Sequence, residues 1–173
     1  MVKLLVFADG SDSALSAVRH AAFLFREGSI SEVVLLNVQA PVELGRASAF
    51  HSLSALRTIE RAEGTRALSR ACAILDDSGV NYVPEICVGP TAKTIAHVAE
   101  ASQCDGILLG TTFWSRFNAC FGGGLPARLM RRTRVPVTLI KAAPCVPGAS
   151  AGTPPYQRGS HASPLLVVYP LGS

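Results

Sequence analysis

The chain has 173 residues, of which 49% are apolar, and its formal net charge is +4. This length suits one folded domain whose core needs no metal or disulfide to hold it together. The positive charge is mild and includes no basic run longer than two residues, so the composition gives no reason to expect a nucleic-acid partner.

The chain begins directly with a strand-like run, and no apolar stretch approaches the roughly 18 residues of a membrane-spanning helix. The five cysteines are widely spaced, with no C-x-x-C motif and no Cys/His spacing typical of a zinc site. We therefore expect a cytoplasmic protein without membrane contact or a metal site, in which Cys72, Cys87 and Cys104 are small core residues.

The first half of the chain alternates between strand-like and helical patterns. Residues 3–8 form a short apolar strand that ends at a turn over residues 9–11. A helical period follows from there to Gly28, and residues 33–38 predict a second buried strand. A long helical stretch over residues 51–77 comes next.

A glycine and a proline affect how the helix and the strand in the middle of the chain are predicted. Gly64 interrupts the long helical stretch, which argues against one unbroken helix. Residues 81–88 predict a third strand, in which Pro84 favours an edge position because proline has no N–H to donate.

The pattern continues beyond the third strand. A helix begins near Pro90, and residues 106–109 predict a fourth strand. A glycine-rich loop over residues 110–124 leads into a short helix, and residues 135–140 predict a fifth strand.

Apolar strands that alternate with amphipathic helices predict an α/β fold. The sheet should be five-stranded, parallel and doubly wound, with helices on both faces and the flavodoxin-like strand order 3-2-1-4-5. Residues 1–142 would form this domain. Residues 143–173 have the Pro, Gly and Ser content of a tail, in which residues 165–169 are either a docked edge strand or an accidental apolar patch.

Common nucleotide-binding and hydrolase motifs are absent from the sequence. The turn after the first strand lacks the G-x-G-x-x-G of dinucleotide-binding proteins, and no P-loop lysine motif occurs. The acidic residues of a phosphoacceptor domain and the G-x-S-x-G of a serine hydrolase are also missing.

Two candidate residues should nevertheless meet in space. In a doubly wound sheet, ligands bind where the strand order reverses, which lies here between strands one and four. Asp9 ends strand one and Gly110 ends strand four. Asp9 either accepts hydrogen bonds from an adenine amino group or a ribose hydroxyl, or it only closes a turn before the first helix.

The glycines of the loop suggest phosphate contacts at the same place. Gly123 and Gly124 precede the short helix, so their N–H groups and the partial charge of the helix end could hold an anion. Arg116 or Arg128 would add full charge, and the backbone of Val38 could pair with a base edge. The alternative is a flexible turn without a ligand.

Four segments together resemble the universal stress protein family, over residues 2–142. They are residues 6–11 (VFADGS), 35–38 (LLNV), 107–110 (ILLG) and 134–140 (RVPVTLI). They are similar to the family's first strand with its D-G-S turn, to its second and fourth strands, and to its closing strand. The family usually has His where this chain has Asn37.

The loop after strand four departs from the family's ATP motif, G-x2-G-x9-G-[ST]. Gly110 and Gly123 match its first and third glycines, but Phe113 replaces the second glycine and Gly124 replaces the hydroxyl residue. Each change is expected to cost about 1–3 kcal/mol of binding free energy. A shift of one residue that uses Gly122 or Gly124 remains open.

The resemblance implies a regulatory or signalling module rather than an enzyme. ATP binding, with Mg²⁺ beside ATP, is expected to be weak or absent, no catalytic residue is assigned, and slow ATP hydrolysis is the most that is expected. A homodimer paired through residues 137–140 is also implied, and residues 165–169 could extend that edge. The alternative is a nucleotide-free dimeric interaction protein. The cofactor-binding candidates are Asp9, Val38, Leu109, Gly110, Gly123, Gly124 and Leu125.

Overall fold

The fold is a parallel sheet with helices on both faces, in a computed structural model that describes residues 2–40, 53–111, 124–142 and 165–168. The elements are β1 (Lys3–Phe7), α1 (Asp12–Arg26), β2 (Glu32–Gln39), α2 (Leu53–Asp77), β3 (Tyr82–Val88), α3 (Thr91–Ala101), β4 (Gly106–Thr111), α4 (Leu125–Met130), β5 (Val137–Lys141) and β6 (Leu165–Val168).

The strand order is β5-β4-β1-β2-β3-β6, and every neighbouring pair is parallel. The predicted five-stranded order 3-2-1-4-5 is therefore confirmed, and a sixth strand is added beside β3. Strands β2 and β3 extend the sheet on one side of β1, β4 and β5 extend it on the other, and β6 returns to the β3 side.

The sheet separates two hydrophobic layers. Leu35 and Val6 point into the layer under α1 and α2, whereas Leu5, Leu36 and Ile107 point into the layer under α3 and α4. All five side chains are completely buried. The central strands read as continuous apolar runs for this reason, since both of their faces are covered.

Helix α1 lies close to the sheet because its buried stripe consists mostly of small residues: Ala14, Leu15, Ala17, Val18, Ala21 and Ala22. The Ser11 hydroxyl caps the helix by accepting a hydrogen bond from the Ala14 N–H at 3.2 Å. The short side chains bring the first turn of α1 up to the end of β4.

Helix α2 continues through Gly64, so the predicted interruption of this helix is wrong. A Cβ atom at Gly64 would lie 2.6 Å from Cγ2 of Ile86 in β3. The glycine is therefore a packing feature at the point where α2 crosses β3, and the tertiary contact overrides its poor helix propensity.

Strand β6 lies beside β3, in register from Glu85 opposite Leu165 to Val88 opposite Val168. This segment does not extend the β5 edge, an option that the sequence leaves open, because β6 joins the opposite edge of the sheet. Pro84 lies just before the stretch that β6 pairs, where the missing N–H costs no bond to β6.

Two of the cysteines are core residues, as predicted. Cys87 and Cys104 are buried, and burial raises the pKa of their thiols to about 12 and about 11, respectively. Cys72 is half-buried, and its pKa is also raised, mainly by burial. Thiols with raised pKa values are poor nucleophiles at neutral pH.

Within the described ranges, none of the helices combines the length and the apolar character that a membrane crossing would need.

Candidate functional site

A cavity of about 270 Å³ opens where β1 and β4 end. The residues around it come from the ends of both strands and the first turns of α1 and α4. They are Phe7, Asp9, Ser13, Ala14, Leu109, Gly110, Thr111, Gly124, Leu125 and Pro126.

The topology explains the position of this cavity. Phe7 of β1 stands opposite Leu109 of β4, so the two strands end side by side. The chain leaves β1 toward β2 on one side of the sheet, and it leaves β4 toward β5 on the other. A crevice forms between connections that diverge in this way.

The structure brings most of the sequence-predicted candidates together at the cavity. Five of them line it: Asp9, Leu109, Gly110, Gly124 and Leu125. Val38 is not part of the lining and packs partly buried against the core layer under α3 and α4, so its contact with a base stays a prediction. Gly123, Phe113 and Arg116 lie outside the described residues.

Asp9 closes a turn and also lines the cavity. Its Oδ1 accepts a hydrogen bond from the Ser11 N–H at 3.0 Å, which forms an Asx-turn. Gly10 follows with a φ of +83°, and a Cβ atom there would lie 3.3 Å from the Ala67 Cα of α2. The turn therefore has little freedom, and it holds the exposed Asp9 carboxylate at the rim of the cavity.

A buried amide anchors the residue that precedes Asp9. The Ala8 N–H donates to the Leu36 carbonyl at 2.8 Å, and the Asn37 Nδ2 donates to the Ala8 carbonyl at 2.7 Å. The Gln39 Nε2 in turn donates to the Asn37 Oδ1 at 2.6 Å. Because Asn37 is only 2% exposed, this network extends the pairing of β1 with β2 one residue beyond the strand.

Gly110 allows α1 and β4 to come into contact. A Cβ atom at this position would clash with the carbonyl group of Ser13 and lie 2.6 Å from the backbone nitrogen of Ala14. Only hydrogen fits between the strand and the first turn of α1. The next residue, Thr111, is buried at the floor of the cavity, and its hydroxyl donates a long hydrogen bond of 3.5 Å to the Ile140 carbonyl.

The other wall of the cavity is the start of α4. Gly124 is the N-cap, with φ of −68° and ψ of 157°, and no side chain caps the helix end. Pro126 sits in the first turn, and Leu129 is fully buried against the core layer that α3 also covers. The buried leucine anchors the helix to the core, and Leu125 and Pro126 of its first turn line the cavity.

Sequence reasoning missed five lining residues: Phe7, Ser13, Ala14, Thr111 and Pro126. Ser13 and Ala14 enter the site only because α1 approaches β4 so closely. The glycine at the end of β4 was the available signal, since a strand-ending glycine can mark a close contact between backbones.

No group of three or more His, Cys, Asp or Glu side chains is arranged to hold a metal ion in the part of the chain that the structure describes.

The chain is similar in sequence to a known family of proteins. The family model described as the universal stress protein family matches residues 1–141. Universal stress protein MJ0531 of Methanocaldococcus jannaschii is 26% identical over 141 residues, which cover 80% of this chain and 81% of that protein.

Two solved structures are similar in fold. A universal stress protein in complex with cAMP has 17% identity and a TM-score of 0.62, and the match covers 82% of this chain and 98% of the other. A universal stress protein family protein from Arabidopsis thaliana with AMP bound has 17% identity and a TM-score of 0.61, with coverage of 83% and 93%. With a family match over residues 1–141 and the parallel sheet that such structures share, the chain belongs to the universal stress protein family.

Proposed function

We propose that this protein is a cytoplasmic regulatory or signalling module that binds an adenine nucleotide in the cavity between β1, β4, α1 and α4. The observation that carries the proposal is the joint presence of Asp9, Leu109, Gly110 and Leu125 around one cavity at the point of strand-order reversal. The structures with cAMP and with AMP bound support adenine as the base.

The lining has the chemistry that a nucleoside requires. Phe7, Leu109 and Leu125 offer apolar surface to a flat base, and the Asp9 carboxylate can accept hydrogen bonds from an amino group or a ribose hydroxyl. Gly124 would lie near a phosphate group, with Mg²⁺ bound to the phosphates when the ligand is ATP. The proposed role is binding that changes the protein's interactions, without turnover of the nucleotide.

Replacing Asp9 with alanine is expected to raise the Kd for AMP about tenfold or more. The variant loses one charge-assisted hydrogen bond, which contributes about 1.5–3 kcal/mol. Isothermal titration calorimetry of the two proteins would measure the change, with circular dichroism to show that both are folded. Asp77→Ala is the matched control. Asp77 is exposed and is the last residue of α2, which ends at the opposite end of the sheet from the cavity. An unchanged Kd in Asp9→Ala would remove Asp9 from the site.

A second candidate function rests on the surface of β5. This strand forms one edge of the sheet, where Leu139 is 40% exposed, and nearby in the chain Met130 of α4 is 52% exposed. An edge strand with apolar side chains is a template for pairing with another chain. We propose that a second copy pairs with β5 through residues 137–140 and that this dimer acts as an interaction platform, with or without nucleotide.

Charge at the β5 edge is expected to break this dimer. In a two-fold interface, Leu139→Arg would bring in one arginine from each copy. The two positive charges would repel each other and lack an acidic partner, so the dimer dissociation constant should rise at least tenfold. Sedimentation equilibrium would measure it. Val83→Arg is the control, because Val83 is 45% exposed and lies on β3, away from β5. Equal weakening by the two changes, or a monomeric parent protein, would contradict the proposal.

A further inference from the structure

We infer that one exposed face of the protein binds an acidic, extended segment of another polypeptide. The face is formed by α4, by the turn that follows it and by the side of β5 on which α4 lies. We call it the basic face, and its residues are Arg128, Met130, Arg132, Arg134, Leu139 and Lys141. The inference goes beyond the proposed nucleotide site and does not depend on it.

Charge is divided unevenly along the sequence. All 12 Asp and Glu residues lie before residue 106, so the modest net charge of +4 combines a mildly acidic first part with a strongly basic second part. An asymmetry of this kind indicates a surface for a partner of opposite charge. The Lys and Arg residues after residue 105 are Arg116, Arg128, Arg131, Arg132, Arg134, Lys141 and Arg158.

The fold gathers part of this basic charge around β5. Arg128 belongs to the last turn of α4, and Lys141 ends β5. Arg132 and Arg134 lie between these two elements, in the turn that leads into β5. All of these side chains are exposed, and within the described residues none of them forms a salt bridge.

The segments that neighbour the basic face carry acidic residues that are already hydrogen-bonded. Glu100, near the end of α3, accepts a hydrogen bond from the Thr133 hydroxyl at 3.3 Å. Asp105, just before β4, accepts one from the Lys3 N–H at 2.7 Å. Outside the described ranges, the sequence has no acidic residue other than Glu43. The chain's own carboxylates therefore do not balance the positive charge of the basic face.

Apolar side chains are exposed on the same face. Met130 of α4 is 52% exposed and Leu139 of β5 is 40% exposed. Val137 packs against the core layer under α3 and α4, and side chains alternate along a strand. Leu139 and Lys141 therefore point to the side of the sheet on which α4 lies.

The arrangement fits a polypeptide better than other anionic partners. Basic residues precede β5 and end it, and Leu139 lies between them. An extended segment of about eight residues, roughly 25 Å long, could place carboxylates at both ends and an aliphatic side chain in the middle. A nucleic-acid backbone has no aliphatic groups to cover Met130 and Leu139, and a membrane surface binds through a wider apolar area than these two side chains provide.

The segment would contact side chains of the basic face, so it leaves the backbone edge of β5 available for pairing with a second copy.

Fluorescence anisotropy with a labelled synthetic peptide tests this inference on the full chain. The probe has about ten residues, with glutamates at both ends and leucines in the middle. It is expected to bind with a Kd of about 100 μM or tighter at low ionic strength. The Kd should rise about threefold or more at about 0.5 M salt, because exposed charges are screened. Absence of binding at millimolar peptide would overturn the inference and leave the nucleotide site unaffected.

Charge reversal tests where the peptide binds. The double variant Arg132→Glu and Arg134→Glu is expected to raise the Kd for the peptide about tenfold or more. The control, Arg19→Glu with Arg66→Glu, changes the net charge equally at exposed positions of α1 and α2, on the opposite side of the sheet. It should raise the Kd less than about threefold, since those charges are distant and screened. Equal weakening in the two double variants would show that the peptide responds only to overall charge, and the inference would fail.

Competition separates a polypeptide from other anionic partners. Single-stranded oligodeoxythymidylate, or vesicles of phosphatidylcholine with phosphatidylserine, should not displace the peptide when they supply the same amount of negative charge. Displacement by either one would overturn the inference.

The contribution of the apolar side chains has its own test. Met130→Ser is expected to weaken binding of the leucine peptide about threefold and to leave a peptide with serines in place of the leucines unchanged. An equal effect on the two peptides would show that Met130 does not contact the leucines, and the proposed fit would be wrong.

Discussion

Replacing Gly110 with alanine is expected to lower the free energy of unfolding by about 3 kcal/mol or more, at the upper end of what overpacking costs. The added methyl group would meet the backbone of Ser13 and Ala14 in the first turn of α1. Backbone cannot rotate out of the way, so either α1 or β4 must shift. Denaturation in guanidinium chloride, followed by circular dichroism, measures the loss.

Gly106 offers a matched control on the same strand. A Cβ atom there would lie 2.9 Å from Cδ2 of Leu4, which is the far end of a flexible side chain. Gly106→Ala should therefore cost less than about 1.5 kcal/mol, because Leu4 can adjust its rotamer. Equal losses in the two variants would show that the contact between α1 and β4 does not make Gly110 necessary.

The close packing at Gly110 also affects how the glycines that resemble the family's ATP motif are interpreted. Gly110 matches the first glycine of the family's ATP motif, but packing against α1 already accounts for it. Its presence is therefore weak evidence for a phosphate-binding loop in this chain. Asp9 and the apolar walls of the cavity are the features that favour a ligand here.

Replacing Asn37 with leucine is expected to cost about 2 kcal/mol of stability, because the buried carbonyl of Ala8 would lose its partner. Leucine has the same branching but a larger volume, so overpacking at this buried position would add to the loss. The variant should also loosen the turn that holds Asp9 and so weaken AMP binding. Chemical denaturation and calorimetry would measure the two effects.

Gln39→Leu tests whether Gln39, which only supports Asn37, contributes less to stability than Asn37 itself. Gln39 is half-buried and donates to Asn37 rather than to the backbone of β1. Losing this bond should cost less than about 1 kcal/mol, since solvent can replace part of it. A larger effect for Gln39→Leu than for Asn37→Leu would place the critical contact in β2 itself and not at the end of β1.

The sequence predicts most of the fold because the periodicity of its strands and helices is regular. Five parallel strands separated by helices leave few topologies, and the observed order is among them. The effect of Gly64 on the helix was misjudged because the contact that requires a glycine there, with Ile86, lies about twenty residues away in the chain. The position of β6 is not predictable from the sequence, because an apolar segment on a long connection can pair with either edge of a sheet.

The candidate site was predictable only in part. Asp9 and Gly110 follow from the rule that ligands bind where the strand order reverses. Ser13, Thr111 and Pro126 become lining residues through the packing of α1 and α4, which no local pattern reveals. Local patterns also gave no sign of the network from Gln39 through Asn37 to Ala8.

The position of β6 limits how copies of this protein can assemble. It covers one side of β3 and leaves β5 as the longer of the two terminal strands, with five residues against four. A short strand is a poor template for another chain. In the proposed dimer, the pairing of two β5 strands would leave the shorter β6 strands at the outer edges of the described sheets, which favours a closed pair over a fibre.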